Sequence, residues 1–130
     1  MRFASRPALP EKQESAHIFA LALGLMMIRG GEEIGLYGSG RRGRTEAALE
    51  RIGQSLIDSA GDEPLPNPAQ GHSRKNTAYF LIGDFLEPVD KIAACFEQLS
   101  SAAGAVYVIQ ILDPAEIEFP YDGRILFKTP

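Results

Sequence analysis

Apolar residues recur at helical spacing in three stretches of the chain and run unbroken in shorter ones between them, and this alternation sets the reading of the fold. Leu9-Pro10-Glu11-Lys12 opens the first helix. Pro10 suits its first turn, and Glu11 and Glu14 favour the positive end of its dipole. Ala16, Phe19, Ala20, Leu23, Met26 and Met27 share one stripe, and Ile18, Leu21, Leu25 and Ile28 nearly close the circle. A helix apolar almost all round is expected to be covered by other layers. Arg29-Gly30-Gly31 ends it. Glu32 to Tyr37 then predicts a short strand, with Ile34 and Leu36 at period two, and Gly38 to Gly43 a flexible turn. Thr45 is a good N-cap for a second helix over Glu46 to Ala60, with Ala48, Leu49, Ile52, Leu56 and Ile57 on its inner face.

Gly61 to Asn76 holds three prolines and two glycines and reads as a loop. Ala78 to Ile82 is an apolar run stopped by Gly83-Asp84, the signature of a strand buried on both faces of a parallel sheet. A third helix is predicted from Val89 to Ala103, with Ile92, Cys95, Phe96 and Leu99 inward, and the strongest strand from Ala105 to Leu112. Residues 115–123 are turn-rich, and Arg124 to Thr129 fits an edge strand. Strands alternating with helices predict an α/β protein, a mostly parallel sheet covered by helices, in a single domain over residues 1–130. Such a domain usually begins with a central strand; this chain begins with a helix.

Composition adds limits. The 130 residues are 45% hydrophobic and 23% charged, an ordinary globular balance. A net charge of −4 argues against non-specific nucleic-acid binding. The single cysteine, Cys95, excludes an internal disulfide and fits a reducing compartment. The longest apolar stretch, Ile18 to Ile28, falls well short of the ~20 residues of a spanning helix, so a cytoplasmic protein with no membrane partner is expected.

Candidate chemistry is sparse. In open α/β sheets ligands sit beyond the carboxyl ends of the strands, where Asp84 and Asp113 fall. With Thr45 they are the hard-oxygen candidates, and a carboxylate with a hydroxyl suits Mg²⁺. Set against this, Asp84 is read equally well as a loop cap and Asp113-Pro114 as a strand exit. Arg41, Arg42 and Arg44 could bind an anion near the N-terminus of the Thr45 helix, against a simpler reading as a solvated cluster. Gly38-Ser39-Gly40-Arg41-Arg42-Gly43 spells the dinucleotide fingerprint between a strand and a helix. However, the acidic ribose ligand about 20 residues on has no counterpart at a strand end. His17 and His72 lack ligand spacing for zinc, and Cys95 reads as core rather than nucleophile.

Three stretches together resemble a widespread bacterial family. They are Gly30-Gly31-Glu32-Glu33-Ile34-Gly35-Leu36-Tyr37, Leu81-Ile82-Gly83-Asp84-Phe85-Leu86, and Asp113-Pro114-Ala115-Glu116 followed by Phe119-Pro120-Tyr121-Asp122-Gly123. The family has a von Willebrand factor type A fold, and its members are commonly encoded beside MoxR-type AAA+ ATPases. The resemblance implies a three-layer Rossmann-like domain with a metal-ion-dependent adhesion site. Asp84 corresponds to the third-loop aspartate of that site and Thr45 to the second-loop threonine. The Asp-x-Ser-x-Ser loop and the first central strand have no counterpart here, so the chain is expected to start inside the domain, with an incomplete Mg²⁺ site. Exposed strand edges beside the missing strand imply a homodimer or swapped oligomer. The expected function is a non-enzymatic protein-interaction domain partnering a MoxR-type ATPase. The alternative is a nucleotide- or phosphate-binding α/β enzyme using the Gly38 to Arg44 loop.

Overall fold

β-Branched and aromatic residues dominate the two longest strands, and these form the centre of the structure. A computed structural model describes residues 10–59, 65–66, 76–102 and 104–120. The elements in order are α1 (Lys12–Arg29), β1 (Ile34–Gly35), β2 (Arg42–Gly43), α2 (Glu46–Asp58), β3 (Ala78–Gly83), α3 (Val89–Ala102), β4 (Ala105–Gln110) and α4 (Pro114–Glu118). The chain is therefore mixed α/β.

β3 and β4 are parallel, with Ala78 opposite Ala105 and Gly83 opposite Gln110. A parallel pair needs a crossover, and α3 supplies it. Alternation sends Tyr79, Leu81 and Val106 to the α3 side. There Leu81, Cys95 and Leu99 are buried, with Phe96 and Phe85 packed against them. On the opposite face Phe80 and Tyr107 stack with centroids 4.8 Å apart. The Cys95 thiol donates to the Pro66 carbonyl at 3.4 Å. Burial pushes that thiol's pKa up, and Glu87 adds to the shift.

The sequence expectation of one mostly parallel sheet is met only in this pair. Among the described residues β3 is bonded to β4 alone, and β1 and β2 form a separate antiparallel pair, Ile34 opposite Gly43. The segment read as a flexible turn is thus partly strand, and the strand read over Glu32 to Tyr37 shortens to Ile34–Gly35. Gly38 and Gly40, at φ 77° and 65°, let the chain reverse between them. The two sheets are joined through Tyr37, whose ring meets Tyr79 edge-on at 5.7 Å.

Helix limits need smaller corrections. α1 begins at Lys12 with Glu11 at the N-cap position, so Pro10 precedes the helix. α1 packs on α2, β1 and β3. A Cβ on Gly24 would stand 2.7 Å from the Leu49 side chain, so glycine sets the approach of α1 to α2. The stripe expected to be covered is not uniformly so. Ala16 is buried, but Ile18, Phe19 and Met26 are exposed, as is Ile57 on α2. Cys95 and Leu99 face inward on α3 as the spacing requires. The stretch 115–123, read as turn-rich, begins inside a helix, Pro114–Glu118, because Asp113 supplies a complete capping box. The proposed edge strand over Arg124 to Thr129, His72 and most of the loop over Gly61 to Asn76 lie outside the described residues. Among the described residues no helix is long and apolar enough to cross a membrane.

Candidate functional site

Because β3 and β4 run parallel, their carboxyl ends lie on one edge, as the sequence reading of Asp84 and Asp113 anticipates. The Ile111 N–H donates to the Gly83 carbonyl at 2.8 Å and extends the pairing by one residue. The two chains then diverge. Phe85 takes a left-handed conformation, φ 52°, and its ring packs edge-on against Phe96 at 5.9 Å. This reversal leaves Leu86 outside, 76% exposed.

After β4 the chain enters α4 through Asp113. Its Oδ1 accepts from the Ala115 N–H at 2.9 Å, and Glu116 Oε2 accepts from the Asp113 N–H at 2.7 Å. These two bonds satisfy donors that a helix start otherwise leaves open, and the buried Asp113 carboxylate is held by one of them. Of Asp113's two readings, the strand exit with a cap is the one the geometry supports; its carboxylate faces a backbone N–H.

The other oxygen of Glu116 carries the connection to the rest of the site. Oε1 accepts from Lys12 Nζ at 2.6 Å, and the same ammonium stands 3.9 Å from Asp84 Oδ2. Lys12 is only 5% exposed. It lies in the first turn of α1, where the helix dipole disfavours a cation, so its burial depends on these carboxylates. One ammonium therefore ties the start of α1 to the ends of both parallel strands. Sequence reasoning missed Lys12 and Glu116. Asp113-Pro114-Ala115-Glu116 does spell a capping box, which could have flagged Glu116. For Lys12 the only local hint is a cation at the unfavourable helix end.

Thr45 does not join this cluster. It is exposed at the N-cap of α2, its hydroxyl makes no cap bond, and no hydrogen bond links it to Asp84. The donor set is a poor fit for Mg²⁺: waters can fill most of its octahedron, but the carboxylate that would anchor the ion already faces an ammonium. Asp84 brings one carboxylate with an ammonium beside it, and among the described residues no three acidic, histidine or cysteine side chains converge on one point.

The arginines lie elsewhere. Arg41 and Arg42 line an open groove of about 210 Å³ between the β1–β2 hairpin and α2, where Arg51 joins them; Arg44 is exposed but not in its lining. Arg51 was missed by sequence reasoning because it approaches from the helix, several residues beyond the arginine-rich turn. The dinucleotide-like glycine pattern forms this hairpin and does not pass directly from strand to helix, so it lacks the phosphate-loop context. Its Ser39 N–H donates to the Leu36 carbonyl at 3.2 Å and its Arg41 N–H to Ser39 Oγ at 3.2 Å, so neither amide is left for a phosphate. Compared with family models, curated proteins and solved structures, the chain finds no match.

Proposed function

We propose that the protein is a non-enzymatic interaction domain of von Willebrand factor A type, gripping a protein partner at the carboxyl ends of β3 and β4, and that this partner is a MoxR-type AAA+ ATPase. The observation that carries the reading is a set of exposed apolar side chains on the connections that follow the two parallel strands. Leu86 and Val89, 76% and 78% exposed, follow β3, while Leu112, Ile117 and Phe119, also exposed, follow β4. Scattered exposed apolar residues need no explanation, but several on the two connections that also supply the Lys12 cluster have the composition of a docking face. Two bulky residues at this end, Phe85 and Phe119, also hold left-handed backbone, φ 52° and 45°, at a cost of about 1 kcal/mol each. The charged groups support binding over catalysis. Asp113 and Glu116 are engaged in the cap and Glu116 also in the Lys12 pair, which leaves them poorly placed to exchange protons with a substrate.

Binding to a purified MoxR-type AAA+ ATPase tests the proposal. The expected result is saturable binding that survives EDTA and weakens at least about tenfold in a Leu86→Glu, Val89→Glu double variant. EDTA sensitivity would instead make the partner's carboxylate and a shared metal the basis of contact. No binding, or binding unchanged in the double variant, overturns the proposal.

A further inference from the structure

We infer that the groove between the β1–β2 hairpin and α2 is a second binding site, and that its ligand is an acidic polypeptide segment with an apolar side chain at its centre.

The charge on this surface is uncompensated. The protein carries 17 acidic residues against 13 basic ones, yet among the described residues Arg41, Arg42 and Arg51 form no ion pair. The neutral polar groups beside them are already engaged. Ser39 Oγ donates to the Leu36 carbonyl at 2.8 Å, Ser55 Oγ to the Arg51 carbonyl at 2.9 Å, and Gln54 Nε2 to Asp58 at 2.8 Å. What the groove offers a ligand is therefore guanidinium donors, the groups best suited to planar carboxylates. Between them Ile34, Leu36, Ala48 and Ile52 line an apolar floor.

The shape selects among anions. Small-molecule sites usually have ~300–1,000 Å³ and bury most of their ligand. This groove is smaller, at about 210 Å³, and its arginines are exposed, so a free nucleotide would remain mostly in water. A phosphate loop would present free backbone amides, and those of Ser39 and Arg41 are bonded within the turn. Single-stranded nucleic acid needs aromatic platforms, and among the described residues no aromatic side chain lines the groove. An extended acidic segment fits what remains: one apolar side chain on the floor and flanking carboxylates on the three arginines. This inference does not rest on the strand-end reading, since the two surfaces share no residue.

Fluorescence anisotropy with a labelled peptide of aspartates and glutamates around one central leucine tests it on the whole chain. The expected result is saturable binding, weakened by about tenfold in each of Arg41→Ala, Arg42→Ala and Arg51→Ala. Replacing the central leucine of the peptide by alanine weakens it further, and added salt weakens it steadily. Arg29→Ala and the Leu86→Glu, Val89→Glu variant bind like the wild type, so failure of the strand-end face and failure of the groove are told apart. Thermal melts confirm that the exposed arginine variants remain folded. Absence of peptide binding, arginine variants that bind normally, or tighter binding of tripolyphosphate or of a single-stranded oligonucleotide than of the peptide each overturns the inference.

Discussion

The strand-end cluster and the hairpin groove treat charge in opposite ways. At the strand ends a single ammonium, Lys12, is buried among carboxylates from two connections, and exposed apolar side chains stand on those same connections. In the groove three guanidiniums, Arg41, Arg42 and Arg51, stand in the open without an acidic partner among the described residues. In the first arrangement the one cation and its carboxylates are engaged with one another or with the backbone, so these charges hold the fold. The second leaves its charges to be met from outside. A net charge of −4 describes neither region. Where the charges sit, and whether they are paired, separates structure from recognition.

Paired substitutions give the sharpest way to break this comparison. Lys12→Met removes the shared cation and leaves Asp84 and Glu116 facing each other. Because those carboxylates are 19% and 32% exposed they can partly rehydrate, so the expected loss is about 2 kcal/mol, below the ~3–5 of a fully buried pair. Arg42→Met, on an exposed cation without an ion pair among the described residues, should change stability by no more than about 0.5 kcal/mol. Urea unfolding of the two variants side by side measures both. Equal losses would erase the distinction between a structural and a free charge.

A smaller contrast uses the two capping residues. Asp113→Ala removes the carboxylate that accepts from the Ala115 N–H and so breaks half of a formed capping box, leaving Glu116 on the backbone N–H of residue 113, an expected loss of about 1 kcal/mol. Thr45→Ala removes a hydroxyl that makes no cap bond, so a loss well under about 0.5 kcal/mol is expected. A Thr45→Ala loss as large as that of Asp113→Ala would mean that Thr45 serves its helix after all.

These cases also mark what the sequence could reveal. The α3 face was legible because Cys95 and Leu99 fall at helical spacing on an amphipathic helix. The two main strands were legible because apolar runs with aromatic and β-branched residues end at Gly83-Asp84 and near Asp113-Pro114. The hairpin was not, since Arg42–Gly43 has no strand propensity and pairs only because the glycine turn brings it back to Ile34–Gly35. The exposed side of α1 was not, because a pattern apolar nearly all round gives no direction. In the site, Asp84 was placed by local pattern, whereas its cation came from Lys12 and the groove's third arginine from α2, both fixed by tertiary packing. Thr45 carried the right cap chemistry at the right place, but the bond it promises is not made.

The finest test addresses the joint between the two regions. Tyr37 follows β1 and packs on Tyr79 of β3, and its phenol is pushed above its ordinary value by burial first, then by Tyr79 and Cys95. Cys95, in the core beneath β3, is raised by burial and then by Glu87. Both groups are neutral in the folded core at neutral pH, and both hold their protons more tightly than in the unfolded chain. Ionisation then favours unfolding, so their contribution is fully present below the thiol's ordinary pKa of 9.0 and is lost as pH rises through the raised folded values. The urea midpoint should be flat across neutral pH and fall above about pH 9, with a shallower fall in Cys95→Ala. The thiol should also react with a disulfide reagent far more slowly in the folded protein than in urea. A midpoint that stays flat into the alkaline range, or a thiol that reacts equally fast in both states, would mean that the core under β3 admits water. The joint would then be too loose to hold the strand-end face and the groove in a fixed relation.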